Sequence, residues 1–330
     1  MPITGIESLV YRVGDVELST RFFTDFGLPP KDTGQTLARF ELMEGSQVIV
    51  RHRDDAALPL ATMEGDGVCQ VIWGVDSQRS LEQLVDALGK AVDVTRDRDG
   101  TAHFLTPFGI PMGLRLFAKR PVVYAPDPVN APGRVNRLNQ HRKWRERARP
   151  KVINHVVWAI EDYEGGFAFM RDYLGFRLSD HQRGFGMYLR ADGSCNHHNL
   201  FLINANARFP GMDGKVRFHH ANFGVEDIDE VMTGANYMTR KGWDPSHLGL
   251  GRHRIDSALF YYLPCPAGGE AEYGTDSDYL DDNWVPRDWI NPLFGFASFI
   301  HNLPPFLAQE PDWNFRYITE GTGSPTEGEH

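Results

Sequence analysis

The feature that most constrains this chain is an internal repeat. Four segments begin with an alternating apolar stretch typical of a β-strand and continue into an amphipathic stretch of helical period. These segments start at Gly5, Val68, Asn154 and His219. Each apolar stretch ends in an acidic residue, and a carboxylate favours the free N–H groups at the start of a helix. Each segment therefore predicts a strand followed by a helix.

The predicted elements follow one another in the same order in all four segments. Helical patterns cover residues 16–26, 80–88, 164–174 and 228–240. Runs of strand character follow at residues 37–50, 103–116, 186–202 and 257–273. The repeating unit is therefore βαβββ, and the fold class is α+β with four such units paired into two domains.

Composition shifts divide the chain further. We predict an N-terminal domain over residues 1–120, a connector over 121–150, and a second, catalytic domain over 151–280. The connector is rich in Pro, Gly, Asn and Arg, which is typical of an irregular segment. The tail, residues 281–330, is rich in Trp, Pro and Phe, and we expect it to pack on the second domain.

Charge and hydropathy exclude several classes of function. The formal net charge of −10 disfavours binding to nucleic acid or to an anionic membrane. No apolar run approaches the roughly 20 residues that cross a bilayer, and the N-terminus lacks the pattern of a signal peptide. Three widely spaced cysteines indicate neither a disulfide framework nor a zinc knuckle. We therefore expect a cytoplasmic protein.

Three residues of the second half indicate a metal site. His155 and His220 occupy equivalent positions in the first strands of their repeats, and Glu272 lies in a last strand. Pairing of the two units would bring these strand positions together, on the concave face of a curved sheet. Two imidazoles and one carboxylate are the ligands of non-heme Fe(II) sites that keep open positions for substrate and oxygen.

The first half carries the scaffold without these ligands. Ser8 stands at the position that matches His155, and Gln70 stands at the position that matches His220. The position of Glu272 falls near Gly113. Only the second half can therefore carry the predicted metal site.

Two alternatives remain open for the ligand set. Glu270 lies on the same face as Glu272, so alternation alone does not choose between the two carboxylates. His219 is an alternative to His220, although strand alternation predicts that its side chain points to the other face. The match with His155 favours His220.

The second half resembles the type I extradiol ring-cleaving dioxygenases of the vicinal oxygen chelate superfamily. The similarity is strongest to enzymes that cleave 2,3-dihydroxybiphenyl and catechol. It rests on five stretches, which are residues 154–157, 196–202, 218–220, 251–256 and 270–276. The resemblance implies that each domain is a curved mixed sheet forming an open barrel.

The resemblance also implies roles for individual residues. His155, His220 and Glu272 match the family's iron ligands, and His198 matches its acid–base histidine. His253 and Tyr262 match pocket residues that hydrogen-bond to substrate and to oxygen-derived groups. Asp256 matches a supporting position of the family. We expect His197 to face away from the site and to be structural. Asn199 and Ile255 depart from the family's pattern.

The function implied by the resemblance is extradiol cleavage of a catechol-type diol with O2, giving a ring-opened semialdehyde or keto acid. The cofactor would be Fe(II), with Mn(II) as an alternative because it accepts the same ligands. A small aromatic diol and O2 would be the partners, and a homo-oligomer is expected. An oxygen-independent isomerase or lyase of the same superfamily and a hydroquinone-cleaving dioxygenase are the alternative functions.

Overall fold

Two mixed β-sheets with helices packed against them make up the protein. The structure is a computed structural model that describes residues 2–309 and 314–319. The first half contains β1 (Ile3–Val13), α1 (Val16–Phe26), β2 (Pro30–Thr33), β3 (Leu37–Glu41), β4 (Gln47–His52), β5 (Gly67–Val75), α2 (Gln78–Leu88), β6 (Val94–Arg96), β7 (Ala102–Leu105) and β8 (Pro111–Leu116).

The second half repeats this order of elements. It contains β9 (Val152–Ile160), α3 (Tyr163–Leu174), β10 (Arg177–Gln182), β11 (Gly186–Arg190), β12 (Leu200–Asn204), β13 (Arg217–Gly224), α4 (Ile228–Arg240), β14 (Gly251–Arg252), β15 (Leu259–Pro264) and β16 (Glu270–Thr275). The tail adds β17 (Arg287–Trp289), α5 (Pro292–Phe296), β18 (Phe299–Ile300), a 3₁₀ turn (Pro305–Leu307) and β19 (Phe315–Tyr317).

Strand order confirms the predicted α+β fold built from βαβββ units. The first sheet runs β2-β3-β4-β1-β5-β8-β7-β6, and the second contains the equivalent series β10-β11-β12-β9-β13-β16-β15-β14. In both sheets the first strands of two units pair antiparallel at the centre, as β1 with β5 and β9 with β13. This pairing brings two repeats into one sheet.

The tail adds strands to the second sheet. Its β17 pairs parallel with β10, and its β18 pairs antiparallel with β14, so the tail extends both edges of the second sheet. The tail residues 310–313 and 320–330 lie outside the described residues.

The helices begin where a side chain caps them. Asp15, Asp162 and Asp227 each accept a hydrogen bond from a backbone N–H in the first turn of α1, α3 and α4. In α2 the cap is Ser77, so this helix begins two residues earlier than the periodicity predicts. Capped starts fix where each strand turns into its helix.

One apolar core joins the two halves. Trp73 of the first sheet contacts Phe176 of the second half edge to face, with ring centroids 4.9 Å apart. Phe26 stacks on Tyr273 at 4.1 Å, and the Tyr273 hydroxyl donates to the carbonyl oxygen of Phe26 at 2.7 Å. The first half therefore supports the back of the second sheet, whose other face carries the candidate site. No helix in the described ranges is long and apolar enough to cross a membrane.

The α1 cap gives a stability prediction. Asp15→Ala removes the acceptor of the Leu18 N–H, 2.8 Å away, and should lower the free energy of unfolding by about 1 kcal/mol. Asp15→Asn retains an acceptor and should stay close to the parent protein. Urea unfolding followed by circular dichroism measures both, and equal losses in the two variants would contradict the capping role.

Candidate metal centre and substrate cavity

Three adjacent strands, in the order β16-β13-β9, carry the predicted metal ligands. Asn222 of β13 pairs with both His155 of β9 and Glu272 of β16, so these two residues flank β13 at the same level. His220 lies two residues away from Asn222 on β13. The ladder register therefore brings together residues that are far apart in the sequence.

The donor atoms of these residues lie close to one another. The Nε2 atoms of His155 and His220 are 3.2 Å apart, and the Glu272 Oε2 atom lies 3.4 Å from the first and 3.3 Å from the second. Two donors bound to one ion at about 2.1 Å, at an angle of about 100°, are about 3.2 Å apart. The three atoms therefore have the spacing of ligands on one face of a single ion.

The environment of Glu272 also fits a cation. Its side chain is 1% exposed, and neither carboxylate oxygen has a hydrogen-bond partner among the described residues. Burying a carboxylate without a donor or a cation costs several kcal/mol. A divalent ion shared with the two imidazoles would remove this cost.

The structure separates Glu270 from this cluster. Its carboxylate lies 3.7 Å from the imidazole of His247, and it is not part of the group formed by His155, His220 and Glu272. Burial, together with the nearby charge of Glu272, raises the pKa of Glu270 to about 7. The two carboxylates share a strand face but have different neighbours.

The expectation that His219 points to the other face is wrong. The register between β13 and β9 shifts between Phe218 and His220, and such a bulge breaks the alternation of side chains. His219 lines the same cavity as His220, and their Nδ1 atoms are 2.7 Å apart. Burial lowers the pKa of His219 to about 4. A neutral His219 can accept the Nδ1 proton of His220, which leaves the Nε2 lone pair of His220 free for a metal.

His155 and His220 line a cavity of about 470 Å³. His198, His253 and Tyr262 also line it. The ring of His198 stacks on His155 with centroids 4.1 Å apart, and the Tyr262 hydroxyl lies 3.0 Å from the Nε2 atom of His253. All three residues implied by the family resemblance therefore face the space beside the metal cluster.

Most of the cavity wall is apolar. Its aromatic members are Phe185, Tyr188, Phe201, Phe209, Phe296 and Phe306. No Lys or Arg stands among the described residues that line it. A second cavity, of about 490 Å³, shares His155 and His198 but is lined by Asp and Arg side chains such as Asp276 and Arg252. The first cavity is the one that suits an aromatic ring.

Burial changes the acid–base properties of the cavity residues. It lowers the pKa of His198 well below its ordinary value, and the neighbouring histidines, His155 first, lower it further. Burial likewise raises the pKa of Tyr262 well above its ordinary value. His198 is therefore a neutral imidazole and Tyr262 an intact hydroxyl before any ligand enters.

The run of strand character predicted over residues 186–202 contains two strands and a loop. This run divides into β11 and β12, and His198 lies in the intervening loop. The loop is held by the side chain of Asn199, which donates to the Asn154 carbonyl oxygen at 3.1 Å and accepts from the Ala191 N–H at 3.1 Å. A loop can place two consecutive histidines against each other, which strand alternation does not allow.

His197 is not among the described residues that line the cavity. It is fully buried, its Nδ1 atom lies 3.1 Å from Nδ1 of His198, and its Nε2 atom lies 2.6 Å from Oδ2 of Asp180. The sequence carried no signal for this contact, because Asp180 reaches His197 from β10 through the pairing of β10, β11 and β12.

One segment of the chain matches a known protein family. Residues 152–260 match the Glyoxalase/Bleomycin resistance protein/Dioxygenase superfamily. The chain has the fold of a Mn(II)-bound glyoxalase from Novosphingobium aromaticivorans, with a TM-score of 0.70 and 20% identity over 94% of this chain and 95% of that one.

Two characterised relatives are similar in sequence. The chain is 33% identical over 153 residues to metapyrocatechase 2 of Cupriavidus necator, which covers 46% of this chain and 43% of that enzyme. It is 27% identical over 267 residues to biphenyl-2,3-diol 1,2-dioxygenase of Pseudomonas sp. (strain KKS102), covering 74% and 84%. The first alignment thus spans less than half of the relative's length.

The two candidate carboxylates give a prediction. Glu272→Gln removes the unpartnered negative charge between the imidazoles, and should lower Fe(II) affinity by more than the roughly 10- to 100-fold that loss of an outer hydrogen-bond partner costs. Glu270→Gln, two residues away, should retain the metal. Anaerobic titration with Fe(II) followed by metal analysis measures both, and weaker binding in Glu270→Gln than in Glu272→Gln would reverse the assignment.

Proposed function

We propose that this protein cleaves a catechol-type diol with O2, at the ring bond beside the two hydroxyls, using one Fe(II) ion held by His155, His220 and Glu272. The observation that carries the proposal is a cluster of three donors beside an apolar cavity. Within the described residues no fourth His, Cys, Asp or Glu belongs to that cluster. The names of both relatives agree with this activity.

Three protein ligands leave coordination positions for both substrate oxygens and for O2. Oxygen-independent members of the superfamily resembled here use a fourth protein ligand, so the three-residue cluster favours the oxygenase. When bound, Fe(II) would supply Lewis acidity that favours the ionised diol and would couple it electronically to O2. Mn(II) accepts the same ligands and is the alternative ion.

The proton chemistry would fall to His198. Its imidazole stacks on His155, so it lies beside the open side of the cluster, and burial keeps it neutral. A neutral imidazole can accept a proton from the bound diol and return it to an oxygen atom of the opening ring. General acid–base catalysis by one placed side chain contributes roughly 10²–10⁴-fold.

His253 and Tyr262 would orient the reacting oxygens. The Nδ1 atom of His253 donates to the Phe296 carbonyl oxygen at 2.6 Å, which leaves its Nε2 atom to accept from the Tyr262 hydroxyl at 3.0 Å. The Tyr262 ring lies against that of His220, with centroids 5.0 Å apart. The Tyr262 oxygen would therefore still accept a hydrogen bond from a group bound beside the metal, and His253 would fix its orientation.

The cavity wall supports a neutral substrate with an apolar substituent. Phe209 lies against Phe185, Phe296 and Phe306, with ring centroids 5.0 to 5.9 Å apart, and these rings form the outer part of the cavity. A carboxylate on the substrate ring would meet no Lys or Arg side chain of the described lining, which includes Glu270. Assembly as a homo-oligomer and a cytoplasmic location stay predictions from the sequence.

His198→Gln gives the first test of the reaction. Protein reconstituted anaerobically with Fe(II) should turn a substituted catechol into a yellow ring-fission product only after O2 is admitted. His198→Gln should bind the metal normally and lose roughly 10²–10⁴-fold in kcat. Product formation without O2 would refute the oxygenase reaction. An unchanged kcat in His198→Gln would refute the acid–base role of His198.

The aromatic wall gives a second test. Phe209→Ala should lower kcat/KM for 3-phenylcatechol about tenfold, because an aromatic contact contributes roughly 0.5–1.5 kcal/mol. Unsubstituted catechol, which does not reach Phe209, serves as the control substrate and should be little affected. The parent protein should also prefer 3-phenylcatechol to 3,4-dihydroxybenzoate by at least about tenfold in kcat/KM. Equal losses of kcat/KM for both catechols would show that the phenyl substituent does not contact Phe209.

A further inference from the structure

We infer that His197 is a positioning residue that fixes the tautomer of His198, so that the Nε2 atom of His198 faces the substrate as a bare acceptor. The inference rests on the proposed function for its catalytic consequence. Its structural basis is a continuous buried series of hydrogen bonds that runs from Arg287 and Trp289 through Asp180 and His197 to His198.

Asp180 is the fixed end of the series. Its side chain is fully buried and receives four donors from β17: Nε and Nη2 of Arg287 at 2.9 and 2.8 Å, the Arg287 backbone N–H at 3.1 Å, and Nε1 of Trp289 at 3.1 Å. Because all these partners donate, both carboxylate oxygens of Asp180 act as acceptors. The Nε2 atom of His197, 2.6 Å from Oδ2, must then be a donor.

The direction of the hydrogen bond between His197 and Asp180 determines the direction of the hydrogen bond between His197 and His198. A neutral imidazole that donates through Nε2 has an acceptor at Nδ1. The Nδ1 atom of His197 lies 3.1 Å from Nδ1 of His198, so the proton between them belongs to His198. The Asp256 Oδ2 atom lies 4.0 Å from the same nitrogen, and its negative charge also favours a proton there.

The result is a base directed at the cavity. With its proton on Nδ1, His198 has a lone pair on Nε2. The Nε2 atom makes no hydrogen bond to any residue that the structure describes. It can therefore accept a proton from a diol hydroxyl. The positive charge then created on His198 would be stabilised by Asp256 and, through His197, by Asp180.

The tail has a defined part in this arrangement. Arg287 and Trp289 both lie on β17, and the pairing of Asp180 with Arg287 in the β10–β17 ladder holds them against the carboxylate. The tail thus orients Asp180.

Neutron diffraction of the Zn(II)-loaded protein, crystallised in D2O, tests the tautomers directly. Deuterium is expected on Nε2 of His197 and on Nδ1 of His198, with none on Nε2 of His198. Deuterium on Nε2 of His198, with Nδ1 of His198 bare, would overturn the inference. This readout needs no turnover, so it is decided even if the protein proves to lack ring-cleavage activity.

Asp180→Asn tests the consequence for catalysis. With its amide nitrogen at the position of Oδ2, the variant would donate to His197, reverse both tautomers and put the proton on Nε2 of His198. We expect kcat to fall roughly 10²–10⁴-fold, with KM and Fe(II) content nearly unchanged.

Asp288→Asn is the matched control. Asp288 is also a buried carboxylate of the β10–β17 pair, but among the described residues its partners are Arg183, Arg316 and His181, not His197. This variant should keep the parent kcat. Parent-like kcat in Asp180→Asn, or an equal loss in Asp288→Asn, would contradict the inference; if Asp180→Asn fails to fold, the neutron experiment decides.

Discussion

The second half of the molecule is organised around one buried carboxylate. Glu272 has no hydrogen-bond donor among the described residues, is almost fully excluded from water, and has two imidazole nitrogens within 3.4 Å. A lone carboxylate in such surroundings is costly, whereas a carboxylate that shares a divalent cation with two neutral imidazoles is favourable. The order of the three central strands brings Glu272 and the two imidazoles together, and the contact from His219 supports His220.

The first half shows what the same scaffold does without that requirement. Ile72 pairs with Gly113 there at the level where Asn222 pairs with Glu272, so Gly113 occupies the ligand's place in the ladder. The place of His220 is taken by Gln70, whose amide lies 2.9 Å from His103. The side chains of Gln70 and His103 therefore satisfy each other. The first half packs against the second half through residues such as Trp73.

Much of this could be predicted from local pattern. Period-two apolar stretches and capped helices depend on neighbouring residues alone, so the repeat predicted α1 and α4 to the residue and the α+β fold with its βαβββ units. The equivalence of His155 and His220 within the repeat also predicted that they would meet. The argument from alternation failed at His219, because the bulge in β13 depends on pairing with β9 and leaves no trace in the order of residues.

The sequence by itself determined which half can bind a metal and which residue types are available, because those follow from chemistry and from position in a repeat. Only the tertiary structure decided that Glu272 and not Glu270 joins the two histidines, and that Asp180, held by the tail strand, reaches His197. The reason is physical: hydrogen-bond direction and ligand spacing depend on distances of a few ångströms between paired strand residues that are 50 or more positions apart in the chain, and sheet register alone sets these distances.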